Sequence, residues 1–404
     1  MAKTERPRSY GGLRVLIAGG GVAGLETLLA LRALAGDLVD LDLLAPEPDF
    51  WYRPLAVAEP FDAGRAHHFE LAGIAETAAA GFTLGQLASV DADANLARTS
   101  HGAEISYDAL VIACGALPRP ALTGVLTFRG PADSDAFRRL LDEAESGSVR
   151  SIAFAVPAAA TWPLPLYELA LLTATRLEQR GKEVELVLVT PEHAPLSLFG
   201  EAASDAVRAM LSEHGISLHT GSYPARYREG RLELVPEATL LVERVVALPR
   251  LEGPQILGIP QDADGFIATD LSGRVLGLTS VYAAGDITQF PIKQGGIAAQ
   301  QADAVAEVIA AQVGADVQPH RFQPVLRGLL LTGGAPRYLR SKPHGGHGDT
   351  STVADEALWW PPSKIVGRYL APFLASYGGL AIQRPADETG AIEIEIDLPA
   401  NDLT

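Results

Sequence analysis

The chain has 404 residues, of which 49 are acidic and 32 basic, for a net charge of −17. That length suffices for two or three domains with substantial cores, and the acidic balance argues against capture of nucleic acid or anionic lipid by bulk charge. One cysteine, Cys114, rules out an intrachain disulfide and a cysteine-based zinc cluster, which fits a reducing, cytoplasmic setting.

Met1 to Tyr10 is charged and lacks the apolar stretch of a signal peptide. Leu13–Ala18 then reads as a buried strand and Val22–Ala35 as a helix. Between them Gly19, Gly21 and Gly24 give the G-x-G-x-x-G spacing. Glycine at the first position permits a tight strand-to-helix turn. At the second it lets a pyrophosphate approach the backbone, and at the third it lets helix and strand pack closely. Val22 and Ala23 open the helix, whose free N–H groups and partial positive charge face the phosphates. A glycine turn that binds nothing is the alternative.

Val39–Leu44 is a second strand. A ribose-binding acid is expected at its end, but Ala45 stands there, and Glu47 just beyond is either its substitute or a solvated turn carboxylate. His67 and His68 are adjacent, so on a strand they face opposite ways and do not share a metal. Ser89-Val90 is placed to offer backbone contacts to an adenine. Ala109–Cys114 is a further buried strand, ending at Gly115.

A second strand–helix series follows: strand Ser151–Val156, helix Leu164–Gln179, strand Val184–Thr190, helix Glu201–His214. The uncharged run Ser151 to Tyr167 carries Pro157, Pro163 and Pro165 and reads as strand plus loop, not a membrane helix. Setting Glu168 against Glu26 puts Thr161, Pro163 and Leu166 where Gly19, Gly21 and Gly24 stand. Proline removes N–H donors and leucine blocks close approach, so a pyrophosphate is hard to place. The Trp162 region is then a packed loop or a lid over a bound ring. Val281–Ala284 is a strand ending in Gly285-Asp286, and Gly296–Ala311 a long helix.

From about His320 the texture changes. His344 and His347 have metal-compatible spacing but no supporting Cys or carboxylate cluster, so no metal site is expected and a surface loop is the reading. After Trp359-Trp360, residues Lys364 to Ala375 place Ile365, Val366, Tyr369, Leu370 and Phe373 on one helical face. That stripe is core, a dimer face or a membrane-surface anchor. A dimer face that governs association is preferred, because the segment has only Lys364 and Arg368 to attract anionic lipid.

The alternation of strands and helices predicts an α/β fold with doubly wound parallel sheets. Three separated motifs sharpen this. Gly19 to Gly24, Tyr107-Asp108-Ala109-Leu110-Val111-Ile112-Ala113-Cys114-Gly115 and Val281-Tyr282-Ala283-Ala284-Gly285-Asp286 resemble, in order and separation, the signature of the two-dinucleotide-binding-domain FAD flavoproteins. Phe50-Trp51-Tyr52-Arg53-Pro54-Leu55 and Lys293-Gln294-Gly295-Gly296 look most like the sulfide:quinone oxidoreductase, flavocytochrome c sulfide dehydrogenase and type II NADH dehydrogenase group.

The resemblance implies two Rossmann-like domains. The FAD domain would be split over 11–125 and 264–315, the second would span 148–263 without binding NAD(P) in the usual way, and 316–404 would form an interface or cover the flavin. It implies that Asp286 binds the ribityl or phosphate region of FAD and that Arg53 and Pro54 reach the flavin, though Arg53 also suits a plain salt bridge. It places a helix N-terminus and Lys293 near the isoalloxazine, where charge would stabilise the reduced ring, unless Lys293 is an exposed loop lysine.

Cys114 occupies the family's usual threonine position and reads as a buried small residue, with no second cysteine for the relatives' dithiol chemistry. The expected activity is FAD-dependent transfer of two electrons from an unidentified donor to a quinone or other acceptor. An NAD(P)H:acceptor oxidoreductase with an atypical nicotinamide site and a non-catalytic flavin scaffold or redox sensor are the alternatives. A homodimer is expected, with peripheral contact at the inner face of the membrane the lesser possibility.

Overall fold

The computed structural model describes residues 11–158, 160–236, 238–333, 338–342, 350–354, 364–377 and 391–397. Two parallel five-stranded sheets form its frame. The first runs in the order Val281–Ala283, Ala109–Ile112, Leu13–Ala18, Val39–Ala45, Gly81–Leu84. Its central strand sets Val15 opposite Leu41 on one side and Ala109 on the other. The second runs Leu126–Thr127, Arg244–Ala247, Ser151–Ala155, Glu185–Val189, Ser217–His219. Central strands of parallel sheets are covered on both faces, which is why Val15–Ala18, Ala109–Ile112 and Ser151–Ala155 are unbroken buried runs.

The helices in chain order are α1 (Val22–Ala35), α2 (Leu71–Thr77), α3 (Ser134–Glu145), α4 (Leu164–Gln179), α5 (Glu201–Glu213), α6 (Gly295–Gln312) and α7 (Leu370–Tyr377). α1 and α6 pack together against the first sheet, burying Leu25, Leu28, Val305 and Ile309 in one core. α4 lies in a second core between the second sheet and a later strand, Val325–Leu331, whose Leu326 and Leu330 point inward. That strand pairs antiparallel with Ala391–Asp397. Leu117–Arg119 and Arg250–Glu252 pair antiparallel where the chain passes between the sheets. Among the described residues no helix is long and apolar enough to cross a membrane.

The α/β architecture and the main strands and helices agree with the sequence reading to within one or two residues. The segment from Lys364 does not. It is irregular through Tyr369, and helix begins only at Leu370. The cause is a tertiary contact: Gly367 passes so close to Glu26 that a Cβ there would stand 2.4 Å from Oε2, and the Glu26 carboxylate takes the backbone N–H groups of Tyr369 and Leu370. Ile365, Leu370 and Leu374 are buried in the core around the first sheet, while Val366, Tyr369 and Phe373 of the stripe stay partly exposed. Trp359-Trp360, His344 and His347 lie outside the described residues. Strand Gly81–Leu84 was not anticipated, since its alternation is short and half exposed.

Candidate functional site

A cavity of about 600 Å³ lies where the carboxyl ends of both sheets converge, within the range of roughly 300–1,000 Å³ typical of cofactor and ligand pockets. From the first sheet it receives Ala18–Gly19, Leu44–Glu47, Gly85–Leu87, Ala113–Gly115 and Ala284–Asp286. Each is the turn that follows a strand, the position at which open α/β sheets bind ligands. From the second sheet come Phe128–Gly130, Ala160–Trp162 and Leu248–Pro249. Arg327–Leu329, Lys364 and Ile365 complete the wall.

The three motif glycines have different physical reasons. Gly19 has φ +133°, and a Cβ on it would lie 2.0 Å from the Ala113 carbonyl oxygen. A Cβ on Gly24 would lie 1.8 Å from the Gly19 carbonyl oxygen, so this glycine lets α1 close on the strand turn, and it does not line the cavity. Gly21 has φ −88°, open to any residue, and a Cβ there would meet nothing within 4 Å. No contact within the protein requires glycine at 21; its smallness leaves space at the cavity wall. The N-terminus of α1 carries no side-chain cap, which leaves N–H groups beside Val22 and Ala23 for an anion.

At the end of the second strand Ala45 is buried against Gly20, where a Cβ would already stand 3.0 Å from that of Ala45. Ala45 lines the cavity where the usual acid would stand, and the exposed Glu47 faces the cavity just beyond it. Val90 is a correction. Its N–H is given to Leu257 O at 2.8 Å, its side chain is buried, and it does not line the cavity. Gly85, Gln86 and Leu87 stand there, at the end of the strand the sequence reading passed over. Cys114 lines the cavity and gives its thiol to Ala18 O at 3.3 Å; burial pushes that thiol up to about 12.

Gly285 gives its N–H to Gln301 Oε1 at 2.7 Å, and Thr288 Oγ1 returns to the Gly285 carbonyl. This fixes the turn carrying Asp286, whose carboxylate lines the cavity and hydrogen-bonds to no described residue. Burial raises its pKa, while the charges of Lys293 and Arg53 oppose that rise.

Lys293 lines the cavity, but its ammonium is turned to the Thr288 carbonyl and sits 4.1 Å from the centre of the Phe266 ring. Burial brings it down to about 8, against Asp286 and Asp262. Its hydrogen bond thus braces the Asp286 turn, not a group in the cavity. Gln294 caps α6 by accepting from Ile297 N at 2.9 Å and gives its amide to Arg327 O. Gly295 lines the cavity and presses on Ile365, whereas Gly296 lies behind it, against the Gln294 side chain. Arg53 and Pro54 both line the cavity.

The ion pair of Lys364 with Glu168 was not read from the sequence. Nζ meets Oε1 at 2.5 Å with side chains 6% and 1% exposed, and both residues line the cavity. Glu168 also accepts Leu331 N at 2.8 Å. Burial raises the glutamate and lowers the lysine, each opposed by its partner. Trp162 lines the wall while its ring packs edge-on against Phe199 at 5.5 Å, so it is both packed loop and cavity wall.

The two sheets treat a dinucleotide differently. At the second, α4 starts after Pro163 with Pro165 in its first turn and no side-chain cap. The acid beyond the next strand, Glu192, is already occupied. It accepts Tyr167 Oη at 2.7 Å and Thr190 Oγ1 at 2.8 Å, together with the N–H groups of Leu196 and Ser197. A pyrophosphate finds few donors there and a ribose finds no free carboxylate. The residues of the first sheet fit FAD; those of the second lack its glycine loop and its open carboxylate.

Residues 168–303 match the pyridine nucleotide-disulphide oxidoreductase family. An NADH dehydrogenase-like protein of Mycobacterium tuberculosis is 28% identical over 295 residues, covering 68% of this chain and 72% of that protein. A sulfide-quinone reductase of Aquifex aeolicus is 29% identical over 215 residues, 49% of this chain and 47% of that one. The crystal structure of the sulfide:quinone oxidoreductase from Aquifex aeolicus superposes with a TM-score of 0.69 at 20% identity, covering 80% of this chain and 81% of that chain. The fold is that of the sulfide:quinone oxidoreductase structure, and the homologues are oxidoreductases, in keeping with the resemblance carried by the three motifs.

Proposed function

We propose that the chain is an FAD-dependent oxidoreductase that passes two electrons from a donor other than a nicotinamide nucleotide to a quinone or comparable small acceptor. The observation that carries this reading is the contrast between the sheets: the first leaves the space beside Gly21 and the Asp286 carboxylate open to the cavity, while at the second the Glu192 carboxylate is taken up by Tyr167 and Thr190. In this reading residues 11–125 and 264–315 hold the cofactor. Bound FAD would supply the redox chemistry at its isoalloxazine ring.

The protein's part is to bind and orient. The N–H groups at the start of α1 take the pyrophosphate, Glu47 a ribose hydroxyl, and Asp286 a hydroxyl of the ribityl or phosphate region. The start of α6 at Gly295 turns its positive end toward the ring's site. Lys364 and Glu168 hold a proton between Nζ and Oε1 in the opposite wall, and Ile365 and Trp162 keep water from it. A quinone acceptor is supported by the likeness to the sulfide:quinone relative. Sulfide as donor is disfavoured, because Cys114 has no second cysteine to pair with.

The test is cofactor release by heat with chromatography, then anaerobic titration of the holoprotein with NADH, sulfide and dithionite while flavin absorbance is followed. The reading expects FAD, bleaching by dithionite, none by NADH, and reoxidation by a soluble quinone. Rapid bleaching by NADH moves the assignment to the NAD(P)H:acceptor class. Failure to take up FAD ends it.

A further inference from the structure

Glu26 and Glu168 hold the same place in two helices, the fifth residue of α1 and of α4. Both are buried and both reach the same stretch of chain. Glu168 takes the Lys364 ammonium, and Glu26 takes the N–H groups of Tyr369 and Leu370 at 2.7 Å each. Between these grips lie Ile365, pressed on Gly295 at the cavity wall, and Gly367, pressed on the Glu26 carboxylate. The stretch 364–370 is thus a strap fastened at two glutamates.

The Glu26 end is unusual in its charge. Asp303 of α6 is hydrogen-bonded to Glu26 through its side chain, and its other oxygen, Oδ1, is buried with no partner. Two carboxyl groups hydrogen-bonded to each other need a proton between them. One turn on, Glu307 accepts the His320 N–H at 2.8 Å and faces His320 Nδ1 and the Arg368 guanidinium. Arg368 and the Tyr369 phenol come from the strap, His320 from the chain after α6. These are the ionisable groups facing the pair.

We propose that Glu26 is a positioning residue: sharing one proton with Asp303, it fixes residues 364–370 over the cavity and so sets Lys364 and Ile365 in its wall. The anchoring stands whatever the cavity holds; its consequence for a flavin rests on the function proposed above. Burial, with Glu26 next to it, pushes Asp303 up to about 8, and burial raises Glu26 too. A raised carboxyl favours the state that keeps the proton. Burial under the strap therefore favours docking at low pH, against the strap's own N–H groups and Arg368, which lower the two carboxyls, so docking weakens toward pH 8 by less than the roughly tenfold per pH unit of a one-proton linkage.

Hydrogen–deuterium exchange on the full-length protein, with and without added FAD, tests this. After correction for intrinsic rates, the Tyr369 and Leu370 amides should be well protected at pH 6 and lose protection steadily to pH 8. Glu26→Gln replaces one acceptor oxygen by a donor facing those amides. Their protection should drop at least tenfold while Leu110–Ile112 stays protected. Asp303→Asn keeps a donor toward Glu26 without a proton of its own to lose, and should hold the strap with a pH slope shallower than that of the wild type, since Glu26 still titrates.

In the FAD-loaded protein, Glu26→Gln should also raise iodide quenching of flavin fluorescence. Unchanged amide protection in Glu26→Gln, or a wild-type pH slope in Asp303→Asn, overturns the proposal. Absence of bound FAD in the wild type would fall on the proposed function, and the amide measurement would still decide the anchoring.

Discussion

At the scale of single residues, the glycine loop separates fold from binding. A side chain at Gly21 would project where no protein atom lies within 4 Å, whereas one at Gly24 would strike the Gly19 carbonyl. Gly21→Val should therefore keep the apoprotein's melting temperature and abolish FAD retention. Gly24→Ala should cost about 1–3 kcal/mol by overpacking. Thermal melts without cofactor, beside FAD fluorescence on release, distinguish the two; a large loss of stability in Gly21→Val would contradict the assignment.

Asp286→Ala should weaken FAD binding by about 1.5–3 kcal/mol, the worth of a hydrogen bond to a charged group, read from equilibrium dialysis. The thiol of Cys114, pushed up to about 12, stays neutral from pH 6 to 10. Cys114→Thr should keep both FAD and turnover, and maleimide should leave the holoprotein unlabelled at pH 8. Loss of turnover at full FAD content would make the thiol a participant.

At the scale of elements, the strap joins α4, α6 and α1 to the cavity. Breaking a buried ion pair strands a charge, so Lys364→Met should destabilise the protein by about 3–5 kcal/mol, and replacing both partners by apolar residues of like volume should restore most of that. Urea denaturation of the two single variants and the double variant forms the cycle. A double variant as unstable as the worse single would show that the pair contributes more than compensation of its own burial.

The helix spans themselves were legible in the sequence. α1, α4 and α6 follow strand-end turns and carry long runs of alanine and leucine, which local propensity and period report. The start of α7 was not legible, because Glu26 decides it from across the molecule.

At the scale of the whole molecule, the described C-terminal segments at 325–331 and 364–374 send side chains into the two cores. Truncation at Ala357 would remove Ile365, Leu370 and Leu374 from the core and Lys364 from Glu168. It should lower the melting temperature and the FAD content, whatever it does to oligomer size in sedimentation. A truncated protein with wild-type melting and FAD content would return the segment to a purely associative role. With a net charge of −17, electrostatic attraction to anionic vesicles should be weak at physiological salt. Flotation with such vesicles would show an apolar contact instead.

The sequence by itself determined the two strand–helix series, the glycine loop, Gly285-Asp286 and the prolines that stand before α4 in place of a second glycine loop. Each of these is encoded within a dozen neighbouring residues, through spacing, period and the absence of donors at proline. Tertiary structure alone decided that Gln86 and not Val90 faces the cavity, that the Lys293 ammonium turns to Thr288, and that Lys364 and Tyr369 reach glutamates 196 and 343 residues away. Contacts at such separations leave no period to read. They form because a buried carboxylate must find a donor, and the donor is whichever group the packed sheets bring within reach.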